Sequence, residues 1–249
     1  MGRFASTAQF YRRYREPYPA EFFRAVASRL GLTGRERLVD AACGPAPLAI
    51  GFAPFVGHCV GVDPEPNMIA AAKIAAAEAG VAIELLQGRM EDVGGRLGST
   101  DVVTIGRALH WLPRRATLAV LDRVVARNGW IVTCGSLTSE ASINRWAGTF
   151  HEIRRAWSSD PYERRYRIRP QAWFAGSRFR KAGEIAVTYR HAVKISDLIG
   201  RALSLSTTSP TVLGHRRRAF EKALREGLEP FANGRVVREE VIARATIFQ

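Results

Sequence analysis

The sequence predicts an α/β protein in which helices cover both faces of a parallel sheet. Three observations lead to this class. The chain has 249 residues, 47% of them apolar, which is enough for one large domain with a buried core. Short apolar runs alternate with longer segments of helical periodicity, as βαβ units require. Glycines follow helical segments at Gly31 and Gly80, where a helix is expected to end.

The elements are predicted in order along the chain. A helix is expected over residues 19–31 and an amphipathic helix over residues 141–157. Between them strands and helices alternate. Strands are predicted over residues 37–42, 59–62, 81–86, 101–105 and 129–134, and the intervening helices over residues 46–55, 70–78 and 116–126.

Four segments follow the carboxyl ends of predicted strands, where open parallel sheets bind their ligands. They are DAACGPAP (40–47), Asp63, GRMED (88–92) and GRALHW (106–111). A carboxylate about 20 residues after the first turn can accept hydrogen bonds from both hydroxyls of a ribose, and Asp63 has this spacing. The alternative interpretation is that Asp63 caps the helix that follows it.

The net charge of +14 comes mostly from arginine. One interpretation is an anionic partner, since guanidinium groups bind carboxylate and phosphate. The other is that the base composition of the genome gives a chain rich in arginine and poor in lysine, with most of the arginines on solvated faces. We favour this second interpretation, because charge alone does not indicate a site. The cysteines, Cys43, Cys59 and Cys134, lie in apolar stretches without metal-ligand spacing, so we expect buried thiols and no metal site.

Neither a secretory signal nor a membrane span is predicted. The N-terminal segment lacks the apolar centre of a signal peptide, and no apolar run approaches the roughly 20 residues that cross a bilayer. We therefore expect a soluble, cytoplasmic protein that does not bind membranes.

Five segments in this order, VDAACGPAP, GVDPEPNMI, LLQGRMEDV, DVVTIGRALHW and RVVARNGWIV, resemble the motifs of class I S-adenosylmethionine-dependent methyltransferases of the small-molecule type. The N-terminal YRRYREPYP is similar to a segment of relatives that include trans-aconitate methyltransferases. The resemblance implies a Rossmann-like, seven-stranded, mostly parallel sheet with its last strand antiparallel. Residues 184–195 and 241–248 would be the final two strands, and a helical lid would cover the pocket.

The resemblance also implies a single methyltransferase domain over residues 1–249. We expect an N-terminal helical cap (1–35), a cofactor-binding core (36–136), a lid insertion rich in arginine and aromatic residues (137–182), and C-terminal strands and helices (183–249).

The implied cofactor is S-adenosylmethionine, with S-adenosylhomocysteine as product. At its amino-acid end, the resemblance implies contacts from the side chain of Asp40 and from the backbone of Ala42, Gly44 and Arg107. Tyr11 and Arg15 would close over this end, with Arg15 pairing with the cofactor carboxylate. Packing of the N-terminal helix is the alternative role of Tyr11.

At the nucleoside end, Asp63 would bind the ribose hydroxyls and Met68 would pack on the adenine face. Met90 and Glu91 would present backbone and carboxylate to the edge of the adenine. The family often has an acidic residue where this chain has Arg89, so the adenine contact departs from the family pattern here.

The first turn departs from the family at two glycines, which are Ala42 and Ala46 in this chain. We expect Gly44 to take the tight turn, Ala42 to add a methyl group beside the methionine moiety, and Ala46 to begin the next helix. Alanine is favoured over glycine within a helix by about 1 kcal/mol. The turn therefore predicts a tightened cofactor site. Weak cofactor affinity, or a protein that binds cofactor without catalysis, is the alternative.

His110 is the best candidate for a catalytic base because it follows the fourth strand. An alcohol or phenol acceptor needs a base, whereas a carboxylate acceptor is already ionised at neutral pH. A structural or substrate-orienting role is the alternative for His110.

Residues 151–181 hold nine Arg or Lys and three Asp or Glu, interleaved with Tyr162, Tyr166 and Trp173. This pattern suits a lid that meets an anionic small molecule, a nucleic-acid surface, or a solvated face with ordinary packing aromatics.

Three functions stay open. The favoured one is O-methylation of a small molecule, at a carboxylate, phenol or hydroxyl in specialised metabolism. A nucleic-acid methyltransferase is disfavoured, because GRALHW lacks the Asn/Asp-Pro-Pro-aromatic turn of enzymes that methylate base amino groups. A non-catalytic partner subunit with the same fold is the third. The oligomeric state is left open.

Overall fold

The computed structural model describes residues 8–158 and 168–249. Its contacts divide the chain into two compact units. Of the described residues, the sheet unit comprises 18–135, 168–187 and 243–249, and the helical unit comprises 8–17, 136–158 and 188–242. The single-domain partition expected from the sequence stays a prediction.

Helices and strands alternate through the sheet unit as predicted. The strands are β1 (Arg37–Ala41), β2 (His58–Asp63), β3 (Glu84–Gln87), β4 (Thr100–Gly106), β5 (Val125–Thr138), β6 (Lys181–Lys194) and β7 (Val236–Phe248). The helices are α1 (Ala8–Tyr14), α2 (Ala20–Leu30), α3 (Pro47–Phe52), α4 (Pro66–Ala79), α5 (Met90–Val93), α6 (Arg114–Val124), α7 (Ala147–Trp157), α8 (Pro170–Phe174), α9 (Ile195–Leu203), α10 (Pro210–Leu213) and α11 (Arg217–Leu228).

The strands form one seven-stranded sheet in the order β3-β2-β1-β4-β5-β7-β6. Strands β1 to β5 pair in parallel, and the last strands are antiparallel. Near the end of the chain, Arg180 and Gln249 exchange reciprocal backbone hydrogen bonds of 2.7 and 2.9 Å, which is the antiparallel pattern. The predicted Rossmann-like, mostly parallel sheet is confirmed.

Helices cover both faces of this sheet, as the alternation of buried side chains shows. Val39 and Ala41 of β1 pack into one cluster with residues of α5, α6 and α8. Leu38 points to the other face, where it packs with residues of α2, α3 and α4. Because successive side chains of a strand point to opposite faces, the burial of both Leu38 and Val39 shows that β1 is covered on both faces.

Element boundaries differ from the prediction where proline and local hydrogen bonds intervene. The helix expected over residues 46–55 ends at Phe52 and continues as a 3₁₀ turn, Ala53–Phe55, because Pro54 has no backbone N–H to donate. The helix expected from residue 141 begins at Ala147. The segment before it is fixed by the side chain of Asn144. Its NH₂ group donates to the carbonyl of Ser139 at 2.8 Å, and its Oδ1 accepts from the backbone N–H of Glu240.

The helical unit has its own apolar core and a buried ion pair. The core includes Trp146 and Phe220. Arg201 is bidentate to Glu239, at 2.6 and 2.9 Å, and both side chains are buried. Arg201 Nε also donates to the carbonyl of Tyr14 at 3.2 Å. This pair therefore links α9, β7 and the end of α1.

Among the described residues, no helix combines the length and apolar character that a bilayer crossing requires.

Candidate functional site

The turn after β1 contains three residues with positive φ, namely Ala42 (54°), Gly44 (56°) and Ala46 (61°). Backbone hydrogen bonds of 2.9 Å fix it, from Cys43 N–H to the carbonyl of Val62 and from Ala46 N–H to the carbonyl of Cys43. Because β1 and β2 are adjacent and parallel, the turn is held against the end of β2.

The two alanines correct the expectation drawn from the sequence. Ala46 does not begin α3 in helical conformation. It is the N-cap residue and adopts the left-handed region, as does Ala42. The left-handed conformation costs a residue with a Cβ roughly 1–2 kcal/mol. The turn therefore keeps the backbone that glycines would adopt and carries strain at two positions, whereas Gly44 takes the tight turn as predicted.

Asp63 ends β2 and binds this turn directly. Its Oδ2 accepts from the Gly44 N–H at 2.8 Å and its Oδ1 accepts from the Glu65 N–H at 2.9 Å. The N-cap position of α4 is Glu65, so Asp63 is not the cap that the alternative interpretation required. Burial raises the pKa of the Asp63 carboxyl, and the two N–H groups oppose this shift. Asp63 thus lies against the turn, where a ribose contact was predicted.

Asp40 lies beneath the turn and is only 1% exposed. Its Oδ1 accepts from the Thr104 hydroxyl at 2.8 Å, and its Oδ2 accepts from the Ala49 N–H in the first turn of α3 at 3.3 Å. Burial raises the pKa of this carboxyl to about 7. Asp40 therefore braces β1, β4 and α3 from inside, and its direct contact with a cofactor stays a prediction.

The loop after β3 lies beside Asp63, because the Gly88 N–H donates to the Asp63 carbonyl at 3.0 Å. Met90 is buried, and the Glu91 carboxylate accepts a short hydrogen bond from the Thr117 hydroxyl. The side chain of Arg89 is exposed at the N-cap of α5. Glu91, predicted to reach the adenine edge, is thus engaged within the protein.

Met68, predicted to pack on the adenine face, is the third residue of α4 and is buried. The packing of Met68 on an adenine face stays a prediction.

The end of β4 passes close to α3. A Cβ at Gly106 would lie 2.7 Å from Cδ1 of Leu48, so a larger residue here would require the Leu48 side chain to shift. Arg107 follows with φ 54°, and its N–H donates to the carbonyl of Cys134 at 2.9 Å. His110 lies in the turn that follows, partly exposed, with its ring 4.8 Å from that of Trp111.

Tyr11, Arg15 and Trp173 were also predicted to lie near the bound molecules. Tyr11 and Arg15 lie in the helical unit, where the Arg15 guanidinium is 4.8 Å from the centre of the Tyr11 ring. Trp173 of α8 is a core residue of the sheet unit, which confirms the packing alternative for this aromatic. Tyr162 and Tyr166 lie outside the described residues. The three cysteines are buried, as predicted.

Sequence reasoning missed Thr104 and Thr117, the hydroxyl partners of Asp40 and Glu91. Thr104 did carry a signal, since it is the polar residue in the middle of the apolar run DVVTI. A buried hydroxyl needs a partner, so its presence there points to a buried acceptor on a neighbouring strand.

These residues suit a nucleoside cofactor. A Cβ built at Gly44 would meet no atom within 4 Å, so the turn borders open space. The Asp63 carboxylate lies against the same turn and can accept hydrogen bonds from ribose hydroxyls. A nucleoside cofactor would be held by Asp63, the backbone of the turn and the loop after β3.

Part of the chain is similar to known methyltransferases. Residues 39–133 match the family model described as a methyltransferase domain. Trans-aconitate 2-methyltransferase of Mycobacterium tuberculosis is 37% identical over 113 residues, which are 44% of this chain and 40% of that protein. The chain therefore spans about two fifths of the length of this curated relative.

Two solved structures share the fold. One is a candidate type II methyltransferase from Anaeromyxobacter dehalogenans, at 16% identity and a TM-score of 0.62, covering 94% of this chain and 97% of the other. The second is a methyltransferase from Thiobacillus denitrificans in complex with S-adenosylhomocysteine, at 15% identity and a TM-score of 0.52, covering 100% of this chain and 98% of the other.

Residues 39–133 therefore resemble a methyltransferase domain, and the fold of the chain is one that solved methyltransferases share. The predicted resemblance to S-adenosylmethionine-dependent methyltransferases is confirmed, and S-adenosylmethionine is the cofactor of this class.

Proposed function

We propose that the chain transfers the methyl group of S-adenosylmethionine to an oxygen atom of a small molecule, and that a carboxylate is the favoured acceptor. The observation that carries the cofactor part is the hydrogen bond from the Gly44 N–H to Asp63. The acceptor class is supported by the similarity to trans-aconitate 2-methyltransferase, a relative named for a polycarboxylate substrate.

The strained turn supports binding rather than loss of the site. Backbone in the left-handed region persists only where surrounding contacts fix it. Here hydrogen bonds to Val62, Cys43 and Asp63 fix the turn, and Asp40 holds the start of α3. The alanines thus keep the backbone conformation that glycines would adopt, which supports a retained cofactor site.

The residues of the chain have a limited task in such a transfer. When bound, the sulfonium group of the cofactor supplies an activated methyl. The protein binds and orients both molecules and excludes water, and positioning alone can contribute several kcal/mol, up to about 7–11, of the barrier reduction. A carboxylate acceptor needs no base, so His110 would orient it, whereas for a phenol or hydroxyl His110 would remove the proton.

The first experiment is calorimetric titration with S-adenosylmethionine and S-adenosylhomocysteine. Binding of both in the micromolar range is expected. Methyl transfer is then measured with radiolabelled cofactor on trans-aconitate, other polycarboxylates, phenols, and tRNA or duplex DNA. Transfer to a carboxylate supports the proposal, and transfer to nucleic acid alone overturns the acceptor class. Failure of both cofactor forms to bind overturns the proposed activity and favours a non-catalytic partner subunit.

Comparing acceptors distinguishes the two possible roles of His110, as a base and as a group that orients the acceptor. His110→Asn should lower kcat for a phenol and remove the pH dependence of a base, with little effect on cofactor affinity. For a carboxylate acceptor the same variant should change mainly KM. Wild-type kinetics with every acceptor would exclude both roles.

A further inference from the structure

Three segments of the sheet unit lie side by side at the carboxyl edge of the sheet. They are the turn after β1, Asp63 at the end of β2, and the loop after β3. Strands β1, β2 and β3 are adjacent and parallel, and adjacent strands are about 4.8 Å apart. A nucleoside whose ribose binds Asp63, at the end of the middle strand, would have the turn after β1 on one side and the loop after β3 on the other.

The amino-acid end of the cofactor is expected at the turn after β1, which leaves the side of β3 for the base. The Gly88 N–H donates to the Asp63 carbonyl, so Arg89 is one residue from a direct contact with the ribose-binding residue. On that side, residues 88–91 are the segment next to Asp63 that could meet the purine edge.

Within residues 88–91, Arg89 has the side chain that can donate hydrogen bonds to such an edge. Its side chain is exposed, and among the described residues its guanidinium makes no hydrogen bond or ion pair. Met90 is buried, and the Glu91 carboxylate already accepts from Thr117. Asp92 is the other exposed charge of the loop.

A guanidinium group is a hydrogen-bond donor only. The 6-amino group of adenine is also a donor, whereas N1, N3 and N7 accept. A 6-oxopurine presents O6 and N7 as two adjacent acceptors, and this pair matches the two parallel N–H groups of arginine. A carboxylate in the same place would instead accept from the 6-amino group.

We propose that Arg89 is a specificity-determining residue that reads the acceptor atoms of the purine, so that the site accepts a 6-oxopurine form of the cofactor as well as the adenine form. This inference rests on the proposed cofactor site. It predicts tolerance of an inosine nucleoside, which a site built around a carboxylate would reject.

The test is calorimetric titration of the full chain with S-adenosylhomocysteine and with S-inosylhomocysteine. For the wild type we expect dissociation constants within about tenfold of each other. Arg89→Asp should tighten the adenosyl ligand and weaken the inosyl ligand, changing the ratio of the two constants at least tenfold. Arg89→Lys keeps the charge but removes the two-pronged donor, and should weaken the inosyl ligand alone.

Two matched variants control for charge. Arg96→Asp makes the same change at another exposed arginine of the sheet unit, and Asp92→Asn removes the other exposed charge of the loop. Neither should change the ratio. Rejection of the inosyl ligand by more than a hundredfold in the wild type, or an unchanged ratio in Arg89→Asp, would overturn the role of Arg89 while leaving the proposed function intact. Failure of the wild type to bind either ligand would overturn both.

Discussion

The backbone N–H of Gly44 donates to Oδ2 of Asp63 at 2.8 Å, so the carboxylate that we propose as the ribose ligand also closes the turn after β1. Asp63→Ala removes this bond and the charge-assisted bonds expected from a ribose. Affinity for S-adenosylhomocysteine should fall by about 1.5–3 kcal/mol, or roughly 10- to 150-fold, in a calorimetric titration.

The matched control for that variant is Asp101→Ala. The Asp101 carboxylate also accepts from a backbone N–H, that of Arg37 at 2.8 Å, but at the amino ends of β1 and β4. Asp101→Ala should leave the affinity for S-adenosylhomocysteine unchanged. Equal losses in the two variants would mean that Asp63 acts only through stability.

The left-handed conformation of Ala42 predicts an unusual response to glycine. Ala42→Gly relieves the strain of a Cβ at φ 54°, which offsets the extra entropy that glycine gives the unfolded chain. The free energy of unfolding, measured in urea, should stay the same or rise slightly. Ala70→Gly, at an exposed helical position of α4, should lower it by about 1 kcal/mol. If both variants lose the same stability, Ala42 is not strained.

The buried Asp40 predicts a pH dependence of stability. Its pKa is raised from the ordinary value of 3.8 to about 7, so between these values the native state keeps a proton that the unfolded chain has released. The contribution of Asp40 to the free energy of unfolding is therefore greatest at low pH and falls as pH rises, by up to about 1.4 kcal/mol per pH unit.

Asp40→Asn does not titrate and should remove this slope. Relative to the wild type, its free energy of unfolding should rise by about 2 kcal/mol between pH 4.5 and pH 6.5 in urea titrations. A constant difference across this range would show that Asp40 keeps an ordinary pKa in the folded protein.

The ion pair of Arg201 and Glu239 predicts a large effect of a single substitution in the helical unit. Arg201→Met leaves a fully buried carboxylate without its bidentate partner, and should lower the free energy of unfolding by about 3–5 kcal/mol. Arg190→Met breaks the pair with Glu240, but the Arg190 side chain is 70% exposed, so the loss should stay below about 1 kcal/mol. Similar denaturation midpoints for the two variants would contradict the difference that burial makes.

The fold was predictable because its signals are local and repeat. The buried strands from Arg37 to Cys134 show as apolar runs, and Gly31 and Gly80 end their helices in the left-handed conformation that the pattern implied. Boundaries were less predictable where they depend on distant partners, as at Asn144, which bonds to the backbone of β7.

The site was predictable in position and less so in detail. The spacing of Asp63 from the turn correctly predicted that both lie at the carboxyl edge of the sheet, because adjacent parallel strands end at the same edge. The conformations of Ala42 and Ala46 were not predictable from their residue type, because alanine disfavours positive φ and only the surrounding hydrogen bonds impose it. The hydroxyl partners of Asp40 and Glu91 were not predictable, because Thr104 and Thr117 lie 64 and 26 residues away from them along the chain.

The three thiols bear on how opening of the sheet unit could be followed. Burial raises the pKa of the Cys59 thiol to about 12 and raises those of Cys43 and Cys134 as well. A thiol that is both covered and protonated reacts with an alkylating reagent only after the surrounding structure opens. Cys43 lies within the turn and Cys134 on β5. The ratio of the labelling rates of Cys43 and Cys134 therefore separates local opening of the turn from unfolding of the whole sheet, and no cysteine has to be introduced.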